Sequence, residues 1–170
     1  MAPALVGMAS RVEGVGMMED WQRLRSGKER GEWAELQFMA AAGRSFTVCK
    51  PWGESSPFDV GIEYRPNFLR VQVKSSTNRI GRGYWCDLTR YYKRGREYTL
   101  EEIDMFAAYL IPVNVWYLIP AAVLFREGTR GAMLFPLKQP VYKNSFHYER
   151  YKEAWWLVTK SRRGLSHFGE

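Results

Sequence analysis

Asp59, Gln72 and Lys74, with Glu35 upstream, are the side chains whose types and spacing can do chemistry together. Carboxylate and amide oxygens suit a hard divalent cation such as Mg²⁺, which keeps several of its waters when a protein binds it. Such an ion polarises a phosphoryl oxygen and activates water, and a neighbouring lysine offsets the charge that develops in the transition state. One or two acids, a further oxygen donor and a lysine are therefore a minimal set for hydrolysing a phosphodiester. The set works only if the fold gathers it.

The surrounding sequence predicts elements that can do so. Ser26 with Glu29 three residues later has the form of a capping box, and Gly43 is a natural stop. They frame a helix from Gly27 to Ala42 with Glu35 near its middle and an apolar stripe of Trp33, Leu36, Ala40 and Ala41. Phe46 and Val48 suggest a strand, Phe58 to Tyr64 a second, Phe68 to Lys74 a third and Tyr84 to Leu88 a fourth. In the third, Leu69, Val71 and Val73 point one way while Arg70, Gln72 and Lys74 point the other. A hairpin between the second and third strands then puts Asp59, Gln72 and Lys74 on one face.

Downstream, Thr99 and Glu102 repeat the capping pattern and predict a helix burying Ile103, Phe106, Ala107 and Leu110, ended by Pro112 and Asn114. Val115 to Ile119 reads as a buried strand and Ala132 to Phe135 as a short one. Tyr148 to Val158 reads as a terminal helix, with Tyr151, Ala154, Trp155 and Val158 at helical spacing. The aromatic cluster Tyr148, Tyr151, Trp155 and Trp156 is most simply core packing. This order predicts an α/β (α+β) domain, a mixed sheet with helices packed on it.

The chain has 170 residues, 46% of them hydrophobic, which is the size and composition of one ordinary globular domain. Residues 1–19 are expected to be a flexible extension, with Met17 or Met18 a candidate initiator, and 20–170 a single domain. The longest apolar stretch, Met105 to Val123, is broken by Pro112, Asn114 and Pro120, so no membrane span is expected. No basic leader precedes an apolar block at the start. Cys49 and Cys86 sit in apolar, strand-like contexts and are expected to be buried free thiols, which points to the cytoplasm. With His147 and His167 added, no zinc-ligand spacing emerges.

The net charge is +7. Between Arg65 and Arg96 lie nine basic residues and one acid, Asp87, so this window alone carries +8 and the rest of the chain is nearly neutral. Asn78, Gly81, Gly83, Tyr84, Trp85, Tyr91 and Tyr92 are interleaved with the charges and supply phosphate donors, close backbone approach and planar contacts. The patch predicts a nucleic-acid partner rather than a membrane surface, because the basic residues do not recur on one face of an amphipathic helix.

Three segments resemble the PD-(D/E)XK nuclease superfamily: Gly31-Glu32-Trp33-Ala34-Glu35, Pro57-Phe58-Asp59 and Val71-Gln72-Val73-Lys74. With Tyr98-Thr99, Ile103-Asp104-Met105-Phe106-Ala107 and Trp116-Tyr117-Leu118-Ile119-Pro120, the sequence is similar to the branch of intron-encoded homing endonucleases and, more distantly, Holliday-junction resolvases. The resemblance implies a restriction-endonuclease-like core in the order αβββ(β)αβ. It implies that Asp59 is the central ligand of Mg²⁺, with Mn²⁺ as a substitute, and that Gln72, the Val73 carbonyl and Glu35 are further ligands. It further implies that Lys74 orients the attacking water or neutralises the scissile phosphate, and that Ser55 or Ser56 bonds that phosphate. Double-stranded DNA is the implied substrate, met by Ser55, Ser56, Arg70, Ser75, Asn78, Arg79, Arg82, Arg90, Lys93, Arg94 and Arg96. A homodimer or homotetramer follows, because cutting both strands needs two sites.

Gln72 departs from the family pattern by standing where an acid is usual, which implies weaker metal binding. It also keeps open a DNA-binding module that has lost catalysis, beside the homing and junction-resolving alternatives. Glu63 is the reserve second acid by strand parity, with Glu54 a poorer one and Glu32 the helical rival of Glu35. Asp87 and Asp104 are expected to be structural.

Overall fold

The computed structural model describes residues 26–53, 55–90, 97–136 and 147–160. Its first element, α1 (Gly27–Ala42), starts with the capping box the sequence predicts. Ser26 Oγ accepts from the Glu29 amide at 3.1 Å, and Glu29 Oε2 accepts from the Ser26 amide at 2.9 Å. Two donors that a helix start leaves orphaned are thereby satisfied. Gly43 ends the helix in right-handed backbone, and a Cβ there would sit 2.9 Å from the Met39 carbonyl.

The strands that follow are β1 (Thr47–Cys49), β2 (Val60–Tyr64), β3 (Asn67–Ser76), β4 (Arg79–Ile80), β5 (Gly83–Asp87), β6 (Met105–Leu110) and β7 (Val115–Pro120). Helix α2 (Ala121–Glu127) and strand β8 (Gly131–Leu134) complete the set. Five strands form one sheet in the order β1-β2-β3-β6-β7, antiparallel except for the parallel β3–β6 pair. A smaller sheet is built in the order β4-β5-β8. Among the described residues no helix is long and apolar enough to cross a membrane.

Helix α1 buries Ala34, Phe38 and Ala42, spaced four apart, against one face of the large sheet. Phe38 meets the rings of Trp116 and Trp155 at 5.3 and 5.6 Å, and Tyr109 stacks on Trp116 at 4.2 Å. The expected stripe is therefore corrected: Leu36 and Ala40 are exposed and Trp33 is only partly buried. The helix turned to seat Phe38 among the rings of Trp116 and Trp155. Glu35, next to buried Ala34, consequently lies at the rim of the contact.

Two further expectations are corrected. The segment after Thr99 makes a single turn, with Glu102 N and Ile103 N both donating to the Thr99 carbonyl, and then becomes β6 instead of a helix. All six residues of β6 are buried because it runs between β3 and β7 with both faces covered. A continuous apolar run of that kind carries no periodicity to separate strand from helix. A short helix that was not expected, α2, follows β7, framed by Pro120 before it and Gly128 after it at φ +61°. That frame was a readable signal for a short helix.

The C-terminal segment is likewise not an α-helix. Two 3₁₀ turns, Glu149–Tyr151 and Trp155–Thr159, flank a stretch that lies along the outer edge of β7. There the Glu153 amide donates to the Trp116 carbonyl at 2.8 Å, and Trp116 N donates to the Glu153 carboxylate at 2.7 Å. Glu153 holds this pose at φ +48°. Tyr148 and Tyr151 are buried as core residues, whereas Trp156 is exposed. Both cysteines are free, but only Cys86 is buried, since Cys49 faces solvent.

Candidate active site

Strands β2 and β3 pair from Tyr64–Asn67 as far as Val60–Val71 and then part. Asp59 sits at the parting point, its amide donating to the Val71 carbonyl at 3.0 Å. Beyond it, one edge of β3 no longer has β2 beside it, and the Asp59 carboxylate takes the place of the missing strand. Asp59 Oδ2 accepts the Val73 amide at 2.8 Å and is also hydrogen-bonded by the Gln72 side-chain amide. Both bonds fall on Oδ2, so among the described residues Oδ1 is left available. Gly61 on β2 allows the close approach that builds this corner, because a Cβ there would lie 2.4 Å from the Phe68 ring and 2.6 Å from Cys49 Sγ.

Lys74 follows Gln72 on the same face of β3. Its ammonium donates to the Thr89 carbonyl at 2.8 Å and lies 5.5 Å from the centre of the Tyr98 ring, which Arg90 covers at 4.7 Å. Glu35 reaches the same region from α1 and is bound by Lys50, which follows β1. Burial first, and then the negative charge of Glu35, push the Asp59 carboxyl up to about 6, against the pull of the Val73 amide and of the Lys74 and Lys50 ammonium groups. Burial lowers the Lys74 ammonium from its ordinary value, with the Asp59 charge opposing. The Tyr98 hydroxyl is pushed up to about 12, chiefly by burial and then by Asp59. Asp59 thus senses Glu35, Lys50 and Lys74 together, and Tyr98 senses Asp59.

The donor set fits a hard cation. It offers two carboxylates and the amide of Gln72, with the Val73 carbonyl beside them, and it contains no soft ligand. Gln72 presents its nitrogen to Asp59, and a half-turn of the terminal amide would present oxygen instead. Among the described residues no three His, Cys, Asp or Glu side chains gather as a metal site, in keeping with an amide in place of the usual acid.

Of the remaining expected residues, several are engaged elsewhere. Arg70 donates to both Asp104 carboxylate oxygens at 3.0 Å and to the Leu100 carbonyl at 2.9 Å, which ties β3 to the start of β6. Arg90 pairs with Glu102. Glu63 pairs with Arg65 at the far end of β2, and Glu32 with Lys28 on the solvent side of α1, so neither joins the site. Asp87 caps Thr89 and Asp104 is structural as expected. Ser55 is exposed, and Ser56 Oγ accepts from the Phe58 amide at 3.4 Å, one turn before Asp59. Ser75 lies on the face opposite Lys74.

Asn78, Arg79 and Arg82 are exposed on the β4–β5 hairpin, which continues directly from the end of β3. Ser76 Oγ donates to the Trp85 carbonyl at 2.6 Å and Trp85 N to the Asn78 carbonyl at 2.9 Å, locking that hairpin to the site strand. Lys93, Arg94 and Arg96 lie outside the described residues, as do Glu54, residues 1–19 and His167. A cavity of about 480 Å³ lies beside Lys74, lined in part by Thr89, Arg90, Tyr98, Phe106, Phe125 and Arg130. Lys50 was not foreseen, and no spacing rule would have found it.

Residues 25–135 match the family model described as PD-(D/E)XK endonuclease. Among solved structures, a bacterial homing endonuclease, I-Ssp6803I, superimposes with a TM-score of 0.67 at 24% sequence identity, over 86% of this chain and 100% of that one. The mixed sheet and its helices are thus a restriction-endonuclease-like fold, as the resemblance implied. No curated protein matches the chain.

Proposed function

The chain belongs to the PD-(D/E)XK endonuclease family, and from that premise we propose that it hydrolyses phosphodiester bonds in double-stranded DNA with Mg²⁺ held by Asp59, Glu35, Gln72 and the Val73 carbonyl. The observation that carries this reading is the parting of β2 from β3, where Asp59, Gln72 and Lys74 meet on one side and Glu35 arrives from α1. The bound ion would supply Lewis acidity and a water of lowered pKa. Asp59 Oδ1 is the available anionic ligand, while Oδ2 stays committed to the Val73 amide and fixes the carboxylate in place.

Lys74 does the rest of the electrostatic work. Held by the Thr89 carbonyl and the Tyr98 face, it is fixed before substrate arrives, so it stabilises developing negative charge without first reorganising. Its partial burial strengthens that interaction. The β4–β5 hairpin, carrying Asn78, Arg79 and Arg82, is the described surface best placed to hold the DNA backbone next to the site. Manganese is expected to substitute for magnesium.

A homing-type, site-specific cut is the mode we favour, on the likeness to I-Ssp6803I. It requires at least two copies of the chain, one per strand, and we propose a homodimer or homotetramer. The test is cleavage of supercoiled plasmid, a four-way junction and cloned flanking DNA in Mg²⁺, with sedimentation of the free protein. Nicked or linear product that disappears with EDTA supports the reading. Salt-sensitive binding without cleavage in any divalent cation, restored by Gln72→Glu, identifies instead a module that kept the fold and lost the chemistry.

A further inference from the structure

Glu35 meets Lys50 before it meets any metal. The ammonium of Lys50 is hydrogen-bonded and ion-paired to Glu35 Oε2, and its charge is also felt at Asp59. Lys50 follows β1 at the open end of the sheet, its side chain half exposed, whereas Glu35 is mostly covered. The cation is therefore attached to the site by one flexible side chain that has solvent to retreat into, while the carboxylate is held at the rim of α1. A carboxylate that lies close enough to Asp59 for its charge to be felt there needs a positive charge nearby. Lys74 is committed to Thr89 and Tyr98, so Lys50 is the movable cation among the described residues around Asp59.

We infer that Lys50 is a displaceable internal counter-ion of the carboxylate pair, which occupies Glu35 in the metal-free protein and is expelled when a divalent cation binds. This rests on the metal site proposed above. An ammonium held on Glu35 and a dication held by the same carboxylate draw on one negative charge and repel each other at such range. Displacement therefore weakens intrinsic metal affinity. It also keeps the acids neutralised, and the site assembled, until metal arrives.

The experiment uses the full chain in three forms besides wild type: Lys50→Met, Lys50→Arg and Asp59→Asn. Manganese binding is measured by electron paramagnetic resonance of the free ion, and the Lys50 side-chain Cε resonance, identified by its loss in Lys50→Arg, is followed during Mg²⁺ titration. Removing the competing charge in Lys50→Met should tighten Mn²⁺ binding by about tenfold, while Lys50→Arg stays near wild type. The Lys50 resonance should move to the position of a free lysine as Mg²⁺ saturates the wild type and stay put in Asp59→Asn. Unchanged or weaker Mn²⁺ binding in Lys50→Met, or a Lys50 resonance indifferent to Mg²⁺, overturns the inference. Wild-type Mn²⁺ affinity in Asp59→Asn would overturn the metal site itself, so the two failures are distinguishable. Because Lys50 is half exposed, its replacement does not endanger folding, and circular dichroism of each variant checks this.

Discussion

Asp59 is a carboxylate kept where ionisation is costly, and that gives it an unusual signature. Its carboxyl is raised to about 6 from an ordinary 3.8, so in the metal-free protein the folded state binds more protons than the unfolded state between those pH values. Stability attributable to this group is full below about pH 4, falls as pH rises through 6, and stays lost above it. Asp59→Asn should then raise the melting temperature of the metal-free protein at pH 7.5 by several degrees, from a gain of about 2 kcal/mol, while abolishing Mn²⁺ binding. Scanning calorimetry at pH 4 and 7.5 checks the sign, and a stabilisation that is equal at both pH values would refute it. For the same reason, wild-type metal affinity should climb through pH 6 and level off above pH 7, as calorimetric titration would show. Lys74→Ala should cut the cleavage rate by about a hundredfold or more with little change in DNA affinity. Filter binding beside a plasmid assay separates the two. Asp59, Gln72 and Lys74 were legible because strand parity alone puts them on one face. Lys50 and the true partner of Arg70 were not, since Glu35 and Asp104 lie 15 and 34 residues away and only the tertiary fold brings them close.

Among the elements, α1 was predictable to the residue because its signals are local: a capping box at one end and a close-approach glycine at the other. The β6 segment shows the opposite case. Its capping motif forms a single turn, but Arg70 grips Asp104, and the chain beyond it is drawn between two strands. Local propensity was overridden by burial on both faces. The C-terminal segment was misread for a related reason, since Glu153 breaks the helical spacing to pair with β7 at a positive φ. That residue serves as both donor and acceptor to Trp116, so Glu153→Ala should destabilise the fold by about 1–3 kcal/mol, partly offset in Glu153→Gly by relief of the backbone cost. Urea denaturation of the two variants tests this; if neither shifts the midpoint, the contact is dispensable.

For the molecule as a whole, the sequence located the basic surplus but overstated how much of it is free. Of the described arginines in the window, Arg70 and Arg90 have carboxylate partners at partly buried positions and exposed Arg65 pairs with Glu63, leaving Arg79 and Arg82 on the hairpin as the exposed arginines for which no carboxylate partner is seen among the described residues. DNA affinity should therefore fall steeply with salt, and Arg79→Ala combined with Arg82→Ala should reduce the log–log salt slope by about 2. Fluorescence anisotropy across a salt series measures it, and an unaltered slope would move the DNA elsewhere on the surface. The stretch that lies along β7 also bears on how the protein behaves in bulk. Without residues 147–160, β7 would end the sheet with a bare row of amides and carbonyls, a template on which a second molecule's strand can add. A version stopped after Pro136 is accordingly expected to polymerise on heating, and its turbidity should rise with concentration where that of the intact chain does not.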